Sequence, residues 1–365
     1  MSTRMSPERA FQPDYVSPPG DTVADLLEQV GMTQTELAQR LGVSLKHTNQ
    51  IVKGSASVSA ELALGLEKVF GVSADFWLNR ESFYRADMAR QEEARELASA
   101  FAWAESFPVN ELRKRRLIPR ASKGADLVAD LLRFFGVASP KLWSDPAAAY
   151  RKSLRFESDP KALATWLRVG ELEAAKVNCD PYNSDRFHEA LDEMRGLTRL
   201  EPSEWQPELV RICATAGVAV VIVDTFQGAR ANGATRWLSP TKALIQMSLR
   251  YRWEDVFWFS LFHEAAHVLL HRKKHLFLEG LEVPDDKLQD RESQVWEEEA
   301  DRFAARLLIP PPHDSELRRL TLTDVPEFAD RLGIAPAIVV GRLQHERRMP
   351  HHRGNELRRR LVFGD

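Results

Sequence analysis

The stretch Trp258–His275, WFSLFHEAAHVLLHRKKH, carries four histidines at intervals of four: His263, His267, His271 and His275. On a helix they form one stripe. Inside it sits His263-Glu264-Ala265-Ala266-His267, a His-Glu-x-x-His string within the apolar run VFWFSLFHEAAHVLL. Two imidazoles and a carboxylate in such a run are costly to bury unless paired or bound to a metal. The i, i+4 spacing puts both imidazoles on one face, about one turn apart, so both can reach one zinc ion (Zn2+) at about 2.0–2.1 Å. His271 lies about 12 Å along the axis from His263, at about 1.5 Å per residue. Recruiting a third histidine downstream requires a helix break, and the first glycine after the motif is Gly280. The spacing therefore predicts His263 and His267 as ligands, His271 as a capping or supporting group, and His275 as a solvated basic end.

The third ligand must come from another segment, and WEEEADRFAARLLIP is the place to look. On a helical wheel Trp296, Ala300, Phe303, Ala304, Leu307 and Leu308 fill one arc. Glu297 falls within that arc, Asp301 at its edge, Glu298 away from it, and Glu299 outside the other edge beside Arg306. Glu297 is thus the predicted ligand, and Asp301, one turn on, can hold the free N–H of a ligating histidine. The competing reading is a charged helix flank with salt bridges. Two histidines and one glutamate leave zinc an open position, as catalytic sites do. Glu264 is then the general base that takes the water proton while zinc polarises the scissile carbonyl. His345 and Arg342, in VVGRLQHERR, are candidates for the oxyanion or the substrate, against the stronger competing reading of a solvated basic face. The strands KALIQMSL or ATRWL offer an edge to an extended peptide.

FHEAAHVLLH followed by EEEADRFAARLLIP resembles the ImmA/IrrE family of bacterial zinc metallopeptidases. The resemblance runs from about Pro202 to IAPAIVVGRLQHE. It implies a gluzincin-like metallopeptidase domain with His263, His267 and Glu297 on the metal and Glu264 as the base. Asp301 stands where the family has Asn. It also implies a protein substrate of the helix-turn-helix repressor type, in a phage, mobile-element, toxin–antitoxin or stress-response setting.

At the other end, TQTELAQRLGVSLKHTNQIVKG has helix, glycine turn and helix at helix-turn-helix spacing. Thr33 and Glu36 form a capping box, Gly42 stops the first helix, and Ser44 starts the second. On that second helix Thr48, Ile51 and Val52 share one side. Lys46, Asn49, Gln50 and Lys53 share the other, and with Gln34 they are the candidates for bases and phosphates. PGDTVADLLEQVGMTQTELAQRLGVS and SAELALGLEKVFGVSADFWLN resemble the XRE class and, more closely, the HigA-type antitoxins, which implies double-stranded DNA, a homodimer and a toxin partner. Five Lys/Arg against seven Asp/Glu between residues 21 and 80 favour the alternative of a helical bundle with a polar face. The run from Gly341 to Leu361, with seven Arg against two Glu, reads as a phosphate-contacting surface or a solvated tail.

With 365 residues, 44% of them hydrophobic, the chain has material for two or three cores. A net charge of -3 excludes a global basic field. Two cysteines outside any metal or redox spacing, and no long apolar run, point to a cytoplasmic protein with no membrane contact. The expected fold is mostly α with a small β-sheet (α+β). A flexible lead-in (1–20) precedes an all-α helix-turn-helix domain (21–84), a helical connector or middle region (85–200) and the metallopeptidase domain with a basic tail (201–365). The reading is a DNA-binding regulator carrying a zinc-dependent endopeptidase. The alternative is a HigA-type antitoxin and repressor whose zinc domain is a sensor or scaffold.

Overall fold

A computed structural model describes residues 17–143, 158–271, 277–278 and 289–361. The expected lead-in and His275 thus lie largely or wholly outside the described residues. The chain divides into two compact units. One is built on residues up to Phe101 with Lys123–Ala129, the other on Ala102–Ser122 and from Asp130 onward.

Five helices make up the first unit: α1 (Pro19–Val30), α2 (Gln34–Leu41), α3 (Leu45–Val52), α4 (Ala60–Phe70) and α5 (Ala74–Ser99). Local signals set most of their ends. Thr33 accepts from the Glu36 N–H while Glu36 accepts from the Thr33 N–H, closing the capping box, and Ser44 accepts from the His47 N–H. Gly31, Gly42 and Gly71 end α1, α2 and α4 in the left-handed conformation. The apolar faces meet in a core of Val23, Leu27, Leu37, Ile51, Leu66 and Trp77. Gly20 allows α1 to approach α3, since a Cβ there would lie 2.2 Å from the Ile51 carbonyl oxygen. α5 crosses the 84/85 boundary expected from sequence without a break, because no glycine or proline interrupts Ala74–Ser99.

The second unit contains α6 (Phe101–Glu105), α7 (Val109–Lys114), the second half of α8 (Gly124–Phe135), α9 (Pro160–Ala174), α10 (Ser184–Leu197) and α11 (Pro202–Thr215). Then follow β1 (Val218–Ile222), β2 (Gly233–Ser239), β3 (Lys242–Met247), α12 (Glu254–Leu270), β4 (Phe277–Leu278), α13 (Gln289–Leu308), α14 (Asp314–Leu317), α15 (Val325–Leu332) and α16 (Pro336–His345). The sheet order is β1-β3-β2-β4, with β1 parallel to β3 and both β2 pairings antiparallel. Fold class is therefore as expected: mostly helical with a small sheet.

Alternation along β3 assigns its two faces. Ala243, Ile245 and Met247 join the core that contains Phe257, Leu261 and Phe262 of α12. Gln246 points the other way and donates to the Trp166 carbonyl oxygen on α9 at 2.8 Å. Residues 160–197, expected as part of a connector, are thus integral to this unit: α9 covers one face of the sheet and α10 supplies Phe187, Leu191 and Met194 to the core. The apolar pattern marks these helices as amphipathic without saying what they cover. Of the two strands expected to offer an edge, β3 is internal and presents none, while among the described residues β2 meets β4 at Ala234 and Thr235.

The basic run after Gly341 also differs from a solvated tail. Arg358 makes a bidentate pair with Asp255 at 2.9 and 2.8 Å, and Arg359 bonds Glu254 through its backbone N–H and guanidinium. The Leu361 N–H donates to the Arg252 carbonyl oxygen at 2.7 Å. Two acids in the first turn of α12 have drawn in these arginines, leaving them unavailable to phosphates. Burial pushes the Asp255 carboxyl above the usual range, and Arg358 opposes that shift.

Arg358→Ala should therefore cost about 3–5 kcal/mol at neutral pH by leaving a buried carboxylate unpaired. A carboxyl whose folded pKa is raised stabilises the fold while protonated and loses that contribution as pH rises through the folded pKa. Denaturant unfolding of the variant should accordingly show a smaller loss at pH 5 than at pH 7.

Candidate metal centre

α12 is apolar nearly all round because it is enclosed by β2, β3, α13 and α16. His263, Glu264 and His267 are almost completely buried within it. α13 packs along α12 and brings Glu297 opposite them. One ligand atom from each of His263, His267 and Glu297 lies within 4.8 Å of the others, an arrangement that could hold a metal ion. His263 Nε2 is 3.1 Å from Glu297 Oε2 and 3.0 Å from His267 Nε2, and His267 Nε2 is 3.5 Å from Glu297 Oε1.

The outer nitrogens are as well ordered as the inner ones. His263 Nδ1 lies 2.8 Å from Asp301 Oδ1, so a proton on Nδ1 leaves the Nε2 lone pair directed inward. His267 Nδ1 lies 2.8 Å from His271 Nδ1, and His271 Nε2 lies 3.3 Å from Glu299 Oε2. If His271 donates to Glu299 it can accept from His267, which again frees Nε2 for the centre. Burial first, then His263 and His271, push His267 well below the usual histidine range. A neutral imidazole is the form that binds metal. Two neutral imidazole nitrogens and one carboxylate oxygen, all turned toward one point, fit zinc.

Glu264 sits beside this group, fully buried under β2. Thr235 donates its hydroxyl to the Glu264 backbone oxygen at 3.0 Å. A Cβ at Gly233 would fall 2.6 Å from Glu264 Oε1, so only glycine lets the strand pass this close to the carboxylate. Sequence reasoning missed Gly233, whose signal was a glycine at the head of an apolar strand. It also missed Glu299, which the wheel turned toward Arg306 and the structure turns toward His271. Glu298 is exposed, and His271, at the end of α12, is the supporting group expected.

Arg342 and His345 stand on α16. They border a cavity of about 590 Å³ that reaches Asp301, with none of the three candidate ligands in its described lining. Arg342 Nε donates to Glu346 at 2.6 Å, and His345 is exposed. In the first unit, Lys46, Gln50 and Lys53 are exposed, while Asn49 and Gln34 are half-buried. Thr48 and Ile51 point into the core as the wheel required, and Lys53 caps α3 rather than extending it.

Comparison with known proteins matches both ends. Residues 23–77 fit the helix-turn-helix family profile, and residues 254–344 fit that of the IrrE N-terminal-like domain, a peptidase family. Residues 23–77 thus carry a helix-turn-helix domain, and residues 254–344 carry a domain similar to the IrrE N-terminal-like peptidases. Virulence-associated protein I of Dichelobacter nodosus is 35% identical over 75 residues, 20% of this chain and 69% of that protein. The HTH-type transcriptional regulator YddM of Escherichia coli is 27% identical over 64 residues, 18% of this chain and 68% of that one. Among solved structures, a HigA-family addiction module antidote protein from Coxiella burnetii is 30% identical, covering 22% of this chain and 90% of its own, with a TM-score of 0.22. The Pseudomonas aeruginosa antitoxin HigA, solved with the higBA promoter, is 29% identical over 22% of this chain and 89% of its own, with a TM-score of 0.22. Among the described residues no helix is long and apolar enough to cross a membrane.

Zinc titration of the purified chain should show one tight site. Glu297→Ala should weaken it by more than about 100-fold, and Asp301→Ala or Glu299→Ala by about 10- to 100-fold. Unchanged zinc content in Glu297→Ala, measured by elemental analysis, would remove that residue from the ligand set.

Proposed function

We propose that this chain is a cytoplasmic DNA-binding regulator whose second unit is a zinc-dependent endopeptidase acting on a repressor-like protein partner. The observation that carries the reading is the convergence of His263, His267 and Glu297 beside the buried Glu264. A divalent cation held by those three side chains supplies Lewis acidity toward a carbonyl oxygen and makes water more acidic. Asp301 holds His263, and the His271–Glu299 pair holds His267, with their inner nitrogens deprotonated. Glu264 takes a proton from the attacking water and returns it to the departing amine, its carboxylate fixed between α12 and β2. Arg342 and His345, bordering the neighbouring cavity, are suited to contact with the bound chain rather than with the reacting oxygen.

The first unit delivers this activity to an operator or to a partner bound there. Lys46, Gln50 and Lys53 are exposed on or next to α3, the second helix of the helix-turn-helix, where side chains meet DNA in that motif. The acidic balance of the unit implies few phosphate contacts, so Lys46 and Lys53 carry a large share of them.

The zinc-loaded chain, incubated with the regulator encoded beside it, should cleave that protein, and Glu264→Gln should slow cleavage by about 10²- to 10⁴-fold. Equal cleavage by the variant, or no cleavage of any candidate partner, defeats the peptidase reading. On operator DNA, Lys46→Ala and Lys53→Ala should each weaken binding across sequences and flatten the salt dependence by about one unit. Binding unaffected by both changes would remove α3 as the DNA-contacting helix.

A further inference from the structure

A cavity in the second unit lies along the groove between α12 and α13 and is closed on its third side by α16. Its walls include Phe259, Ala305, Leu308, Ile309 and Ile338. At about 590 Å³ it is in the range of sites that enclose organic groups, and large enough for any amino-acid side chain. Its position along α12 is fixed by sequence. Phe259 and Ser260 precede His263 by four and three residues, about one turn or 5.4 Å along the helix. Asp301 belongs to both places, since it lines the cavity and bonds His263 Nδ1 at 2.8 Å. The cavity therefore adjoins the candidate metal centre on the Asp301 side of His263.

Its chemistry selects a class of occupant. Two carboxylates in the lining are already engaged, Asp255 by Arg358 and Asp301 by His263. Arg342 is engaged by Glu346. Glu298, Arg302, Arg306 and His345 are exposed and Asp314 is half-buried, so the rim mixes both signs of charge around the apolar walls. A charged group entering between the apolar walls would find little compensation for its lost water, whereas an apolar one gains from burial.

We infer that this cavity is the specificity pocket of the peptidase and takes a bulky apolar side chain, aromatic or leucine-like, from a residue flanking the scissile bond. The inference rests on the peptidase reading for its role and on the cavity alone for its ligand. A substrate with Phe or Leu at that position is anchored beside His263, with its peptide carbonyl turned toward the centre. A substrate with Ala or Asp there leaves the pocket unfilled or forces a charge into it.

N-acetyl-phenylalanine amide and N-acetyl-alanine amide separate pocket from catalysis. Ligand-detected NMR with the full chain, both metal-free and zinc-loaded, should show the aromatic amide binding about 10- to 100-fold more tightly. Ala305→Phe, at a half-buried wall position, should erase the difference while thermal unfolding stays cooperative. Phe259→Ala, which widens the cavity, should favour the N-acetyl-tryptophan amide instead. Equal affinities for the first two amides, or a preference untouched by both variants, overturns the inference. Where a protein partner is cleaved, mapped sites should carry a bulky apolar residue on one side of the bond, and sites without one also overturn it. Preference for the aromatic amide without cleavage of any partner leaves the pocket standing and removes the peptidase reading instead.

Discussion

Placing two imidazoles and a carboxylate inside an apolar helix is a demand that the rest of the second unit has to meet. Each buried polar group on α12 needs a partner, because an unpartnered one costs free energy comparable to a lost hydrogen bond. α13 answers for the histidines with Glu297, Asp301 and Glu299, three carboxylates within two turns. β2 answers for the next residue, bringing Thr235 to its backbone and the bare Cα of Gly233 to its side chain. The segment after α16 answers for Glu254 and Asp255 at the start of the same helix. The sheet, two helices and the last described residues are organised around α12 more than around one another.

Much of this was legible in the sequence, for physical reasons that differ from residue to residue. His263 and His267 are readable because i, i+4 spacing on one helix needs no knowledge of any other element. Glu297 is readable one step further out, since an acid inside an apolar arc has to face something. Glu299 is not, because its direction depends on how far α13 is displaced along α12, and a wheel carries no axial offset. Gly233 and the Arg358–Asp255 pair depend on close approach between segments far apart in the chain. The helices α9 and α10 look like a connector for the same reason: amphipathicity shows a face but not what covers it. In the first unit nearly every boundary was readable, since Thr33, Ser44, Ser59, Gly31, Gly42 and Gly71 act on their own neighbours. The exception is α5, where an aromatic-rich start and a charged continuation suggest two elements but contain nothing that ends a helix.

The two units also differ in how their chemistry is held. In the second, the reactive groups are enclosed and their tautomers are set by outer partners, so geometry is fixed before a ligand arrives. In the first, Lys46, Gln50 and Lys53 project from a small, well-capped scaffold into solvent, so holding them in one geometry on a partner would cost side-chain entropy. A rigid centre suits bond breaking, and an adaptable surface suits recognition of a long polymer.

The clasp between Arg358, Arg359 and the first turn of α12 sets an order of events during synthesis. The acids at 254 and 255 leave the ribosome roughly a hundred residues before the arginines that neutralise them. At about 5–20 residues per second that is an interval of several seconds or more. Throughout it, the first turn of the histidine helix carries two carboxylates without their final partners, and burial of that turn is opposed. The helix-turn-helix segment, residues 23–77, is synthesised long before. A nascent chain can thus acquire its helix-turn-helix surface well ahead of its candidate metal centre, and a chain cut short before residue 358 would retain that surface while lacking the clasp that seats the centre.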